Sequence, residues 1–213
     1  MCNGDELKAL NENNTWTLVP LPPGERAIGC RWVFAVKTDH NGEVQRYKAR
    51  LVAKGYSQRE NVDFFETFAP VVRYESIRIL LSIAPSENLE ISKFDVKTAF
   101  LNGDLEEVIY MQQPRGFVDK QQPNSVFKLF RSLYGLKQGS RCWNIIFVKF
   151  MENYNFKSID SDQCIFIGSI KGFKVILGLY VDDGLLLSKS QAAIDELLKL
   201  LKKDFQITVE KPD

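Results

Sequence analysis

Two adjacent carboxylates stand at the end of an apolar run. Tyr180-Val181-Asp182-Asp183 closes the stretch from Val175 to Val181, and Gly184 leads on into Leu185-Leu186-Leu187. Apolar residues on both sides of two acids predict two buried strands joined by a tight acidic turn. Such a turn fixes two like charges at the tip of a rigid hairpin, which is costly unless a cation lies between them. Oxygen-only ligands favour a hard ion such as Mg²⁺, and its usual partners are substrate phosphates. The chemistry these residues could do is metal-dependent phosphoryl transfer.

Asp95 is the candidate third member, at the end of the weakly alternating stretch 89–95 and flanked by Phe94 and Val96. If that strand lies next to the 175–181 strand, Asp95 faces Asp182 across the strand ends. Three carboxylates around one position can hold two Mg²⁺ ions roughly 4 Å apart, with Mn²⁺ as a substitute, for in-line displacement at phosphorus. Plainer readings exist. A lone Asp-Asp pair is usually a surface turn, an isolated Asp95 before Thr98 and Ala99 is usually a helix N-cap, and Asp160 and Asp162 read as solvated loop. The strongly apolar flanks of Asp182 and Asp183 argue against the plain reading there.

The elements that would position these acids follow from periodicity. Residues 1–25 are polar, end in Pro20-Leu21-Pro22-Pro23-Gly24, and read as a lead-in. From Ile28 to Lys37 the chain alternates, with Arg31, Val33 and Ala35 on one face and Trp32, Phe34 and Val36 on the other. Asp39-His40-Asn41-Gly42 is a turn and Val44–Lys54 the returning strand, together a long hairpin with basic residues on exposed positions. Ile77, Leu80, Leu81 and Ala84 predict a helix over 74–84, ended by Pro85. Trp143, Ile146, Phe147 and Phe150 predict a second helix to about Tyr154, and Ile194, Leu197, Leu198, Leu201 and Phe205 a third over 192–205. Strands are expected at 108–111, 126–130, 164–170, 174–181 and 185–188. Mixed elements with antiparallel hairpins indicate an α+β fold. The part from about residue 86 to 205 can close as an antiparallel sheet with helices on one face, a split βαβ arrangement.

Composition narrows the chemistry. The 213 residues are 45% hydrophobic and 26% charged, ordinary for a globular protein. No apolar run approaches the roughly 20 residues that span a bilayer, so no membrane partner is expected, and the first residues lack a signal-peptide pattern. The cysteines Cys2, Cys30, Cys142 and Cys164 are scattered without metal or disulfide spacing. With His40 the one histidine, zinc and Ser-His-Asp chemistry have little to work with. The net charge is +1, but residues 26–59 hold Arg26, Arg31, Lys37, Arg46, Lys48, Arg50, Lys54 and Arg59, a local basic surface that attracts phosphates or, on the plainer reading, a solvated hairpin face.

In order and spacing the chain resembles the reverse transcriptase of copia-type LTR retrotransposons. The resemblance runs through Ile28-Gly29-Cys30-Arg31-Trp32-Val33-Phe34, Arg46-Tyr47-Lys48-Ala49-Arg50-Leu51-Val52-Ala53-Lys54-Gly55 and Glu66-Thr67-Phe68-Ala69-Pro70-Val71. It continues through Phe94-Asp95-Val96-Lys97-Thr98-Ala99-Phe100-Leu101-Asn102-Gly103, Ile109-Tyr110-Met111-Gln112-Gln113-Pro114, Ser132-Leu133-Tyr134-Gly135-Leu136-Lys137-Gln138 and Leu179-Tyr180-Val181-Asp182-Asp183.

The resemblance implies a right-hand polymerase with residues 26–85 as fingers and 86–213 as palm. It implies Asp95, Asp182 and Asp183 as catalytic, metal-holding acids for two Mg²⁺ ions, the first two as the main bridges. It also implies Phe100 under the sugar, disfavouring a 2′-hydroxyl, Gln138 at the incoming nucleotide, and Lys37, Lys48 and Arg50 as candidates for the triphosphate. Expected partners are an RNA or DNA template with its primer, deoxynucleoside triphosphates and the remaining Pol domains of a parent polyprotein, in virus-like particles of the cytoplasm, with the nucleus as the alternative location. The sequence departs from the family at Gly139-Ser140, which is expected to loosen the start of the following helix, and at Cys142 and Pro85-Ser86. With nothing after Asp213 to build a thumb or RNase H, the resemblance implies a truncated copy. An inactive nucleic-acid-binding remnant is the alternative, and a template-free palm-fold cyclase is disfavoured by Phe100 and the basic hairpin.

Overall fold

The computed structural model describes residues 2–210. In chain order the elements are α1 (Cys2–Glu12), β1 (Trp16–Val19), β2 (Ala27–Ile28), β3 (Cys30–Thr38), β4 (Val44–Ala53), α2 (Tyr74–Ser86) and β5 (Glu90–Val96). There follow β6 (Asp104–Met111), β7 (Val126–Arg131), α3 (Gly139–Asn153), β8 (Lys157–Ile159) and β9 (Asp162–Ile170). The last are β10 (Phe173–Tyr180), β11 (Asp183–Ser188), α4 (Gln191–Asp204) and β12 (Ile207–Glu210). Two compact units result, one from the chain up to Phe68 with Phe100–Trp143, the other from Ala69–Ala99 with the chain from Asn144 on. The expected parts, 26–85 and 86–213, cut the chain elsewhere, because β6 and β7 pair with β1 and β2 rather than with β5.

The first unit holds a four-stranded sheet in the order β1-β7-β6-β2 and the separate β3–β4 hairpin. Residues 1–25 are more than a lead-in. Leu10 is fully buried in this unit's core beside Leu51, Met111 and Leu133, and Leu7 and Trp16 pack against it. The Glu6 carboxylate accepts the Leu51 N–H at 3.2 Å, so α1 covers the open edge of β4. The register of β3 on β4 pairs Val33 with Arg50, Ala35 with Lys48 and Lys37 with Arg46, so alternation puts Lys37, Arg46, Lys48 and Arg50 on one face. The opposite face carries Phe34, Val36 and Tyr47, all exposed.

The second unit is an antiparallel sheet in the order β12-β5-β11-β10-β9-β8. β5 and β10 both run antiparallel to β11 and so parallel to each other, with the chain of α3 between them in sequence. This is the expected split βαβ unit, and β11–α4–β12 completes it, with β12 pairing on the outer edge of β5. Phe147 of α3 meets Phe166 edge-on and stacks on Phe205 at the end of α4, so these two helices share one face. The opposite face is covered by α2, whose Leu80 and Ala84 join Ile165, Leu185 and Leu187.

Pro85 does not end α2. It lies in the last turn, and the helix closes after it with Leu89 N–H on the Ala84 carbonyl and Asn88 N–H on the Pro85 carbonyl. Asn88 takes φ +51°, the left-handed residue of a Schellman cap. Asn14 and Asn155 end α1 and α3 in the same way. Nor does Gly139-Ser140 loosen the next helix: α3 starts at Gly139, and Cys142 N–H bonds the Gln138 carbonyl at 2.9 Å. Among the described residues no helix is long and apolar enough to cross a membrane.

Candidate active site

The β10–β11 register pairs Tyr180 with Asp183 and leaves Val181-Asp182 as a two-residue turn. Val181 has φ +57°, a left-handed conformation that a β-branched side chain resists. The turn is held in place by its strands: Leu177, Leu179, Leu186 and Leu187 are at most 3% exposed. β5 neighbours β11 rather than β10, so the residue opposite Asp95 is Asp183, not Asp182. Asp182 stands beside the pair through its carbonyl, which accepts the Val96 N–H at 2.8 Å. The three acids anticipated from sequence are thus gathered at one end of three neighbouring strands. Gly184 is required here, because a Cβ would run into the ring of Phe94, the residue before Asp95.

Residues directly opposite on antiparallel strands have Cβ atoms about 4.5–5.5 Å apart, where like charges repel. The Asp183 carboxyl is accordingly held above the usual carboxylate range, by partial burial, then by Asp182, Asp95 and Glu210, with Lys93 opposing. Because the residue as a whole is exposed, the neighbouring charges are the telling part. Glu210, on β12, went unread in the sequence, since its approach depends on the β12–β5 pairing. Among the described residues no three His, Cys, Asp or Glu side chains are grouped so that they could hold a metal ion.

The nucleotide-binding candidates all fall in the first unit. Lys37, Lys48 and Arg50 share the basic hairpin face. The Arg50 guanidinium lies over the Tyr134 ring, 4.7 Å from its centroid. Phe100 meets the same ring edge-on at 4.7 Å. Gln138 is buried at 2% exposure. Its amide N–H donates to the Asp63 carbonyl at 2.9 Å, and its own carbonyl accepts from Gln58 at 3.0 Å. The glutamine that the resemblance places at the nucleotide is therefore taken up by the protein. Tyr134, Gln58 and Asp63 went unread as site residues; the Tyr134 signal was its place in the Ser132–Gln138 run.

A model of the reverse transcriptase (RNA-dependent DNA polymerase) family matches residues 13–210. The chain belongs to that family. It is 46% identical over 205 residues to the retrovirus-related Pol polyprotein from transposon TNT 1-94 of Nicotiana tabacum, covering 95% of this chain and 15% of that protein. To the Pol polyprotein from transposon RE1 of Arabidopsis thaliana it is 42% identical, over 96% of this chain and 14% of the relative. The Gag-Pol polyprotein of transposon Ty1-NL2 from Saccharomyces cerevisiae is more distant, 28% identical over 87% of this chain and 10% of its own length. The chain thus spans a small part of the length of these copia-type relatives.

Proposed function

We propose that this chain carries the fingers and palm of an RNA-directed DNA polymerase. It adds deoxynucleotides to a primer 3′-hydroxyl with release of pyrophosphate. The observation that carries this reading is the register placing Asp183 opposite Asp95 beside the Asp182 turn. Asp95 and Asp182, with Asp183 next to them, would hold two Mg²⁺ ions. When bound, such ions supply positive charge at the attacking and leaving oxygens. The protein's own part is to hold the acids still: Val181 and Gly184 fix the turn, and the Val96 N–H ties Asp182 to β5.

In this reading Lys37, Lys48 and Arg50 offset the triphosphate charge from one face of the hairpin. Phe100 closes off the space of a 2′-hydroxyl, so ribonucleotides are rejected by a clash. Gln138 anchors the nucleotide's surroundings through Gln58 and Asp63. The partners are a primed RNA or DNA template, deoxynucleoside triphosphates and the other domains of a Pol polyprotein. Many summed phosphate contacts would govern duplex affinity, making it strongly salt-dependent.

The test is primer extension on an RNA template with Mg²⁺ or Mn²⁺, comparing wild type with Asp182→Asn. Extension by wild type and background levels in the variant are expected. Extension that survives the substitution would sink the assignment of the acids. No extension by either, with duplex binding intact, would mark the chain as a binding remnant.

A further inference from the structure

We propose that Tyr134 is a positioning residue that sets triphosphate affinity and sugar selectivity together, a reading that rests on the function proposed above. One ring touches two groups with different tasks. The Arg50 guanidinium stacks over its face, and Phe100 packs edge-on against it, 78° from coplanar. Stacking fixes a flexible arginine while leaving its in-plane N–H groups for phosphate oxygens. The edge contact keeps the Phe100 ring from swinging, and a steric wall discriminates only if it does not yield.

The ring can do this because its backbone is clamped. The Ala53 N–H, at the end of β4, donates to the Tyr134 carbonyl at 2.8 Å. Gly135, at φ +92°, has no room for a Cβ against the Ala53 carbonyl, and Gly55 has none against the Gly135 carbonyl. Leu133 and Leu136 anchor the loop in the core on either side. The loop is thereby keyed to the base of the basic hairpin, and Tyr134 carries that rigidity to Arg50 and Phe100.

Steady-state extension on an RNA template, with dATP against ATP as the varied nucleotide, tests this. Tyr134→Leu is expected to raise KM for dATP about tenfold with little change in kcat, and to lower the preference for dATP over ATP by a similar factor. Tyr134→Phe recovers both, since the ring and not the hydroxyl makes the two contacts. Arg50→Lys keeps the charge but loses the planar stack, so it raises KM alone and adds little on top of Tyr134→Leu. An unchanged KM and preference in folded Tyr134→Leu overturns the inference while the polymerase reading stands. So does an Arg50→Lys protein indistinguishable from wild type, or a failure of phenylalanine to recover the loss. If wild type does not extend primers, the polymerase reading falls and equilibrium dATP binding decides. Binding lost in Tyr134→Leu and regained in Tyr134→Phe sustains the positioning role. Binding unaffected by leucine, or absent in wild type, overturns it.

Discussion

At Val181 and Asp162 the protein treats single residues in opposite ways. The left-handed backbone at Val181 stores on the order of 1–3 kcal/mol just before the two acids, and the charges themselves repel. The buried leucines of β10 and β11 hold both. Asp162 is an acid at rest: buried, it accepts the Ser76 hydroxyl at 2.6 Å and the N–H groups of Arg73 and Cys164. Burial alone would raise its pKa, but these hydrogen bonds outweigh it and hold the carboxyl below the usual range. A depressed folded pKa means stability that is present above the unfolded value of about 3.9 and lost as pH falls through the folded one. Asp162→Asn is therefore expected to cost about 1–3 kcal/mol in urea unfolding at pH 7, with the gap narrowing below pH 4. A gap that does not change with pH would show that the charge is not what matters. Asp182 and Asp183 were legible as a candidate pair because apolar flanks surround them. Asp162 was not, and read as solvated loop, because Ser76 of α2 and the N–H of Arg73 just before that helix reach it from far away in sequence.

Helix ends are where the elements of this fold are most alike. Asparagine takes the left-handed position after α1, α2 and α3, at Asn14, Asn88 and Asn155. Asparagine tolerates that conformation better than any residue with a bulkier Cβ substituent, and glycine better still. Asn88→Ala is expected to lower the unfolding free energy by about 1 kcal/mol, and Asn88→Gly to match or exceed wild type by a few tenths. Equal stability of the alanine and wild-type proteins would remove the cap from the account. Local signals of this kind explain which elements could be read in advance. α4 was legible from Ile194, Leu197 and Leu201, all fully buried on one stripe, and the long hairpin from its alternation. α1 was not, since Asn3, Gly4 and Asp5 are weak helix formers and its support comes from Leu10 in the core and Glu6 on β4. The short strands β1, β2, β8 and β12 have too few residues to show a period.

On the scale of the whole molecule, the chain leaves the second unit after Ala99 and re-enters it at Asn144. Strand β5 therefore comes from one segment, and both its neighbours, β11 and β12, from the other. A fragment of residues 144–213 lacks the strand that joins them. Expressed alone it is expected to show no cooperative unfolding by circular dichroism, with cooperativity restored by adding residues 69–99 in trans. Cooperative unfolding of the fragment alone would mean that β5 is dispensable to the sheet. The same interleaving orders events during synthesis, because the ribosome makes Asp95 long before Asp183 and Glu210. Until β11 and β12 emerge, β5 is an unpaired strand and no charge cluster exists. A nascent polypeptide cannot gather the acids early, and an element copy with a stop codon anywhere before Asp183 leaves Asp95 without the residue opposite it, however much of the first unit it still encodes.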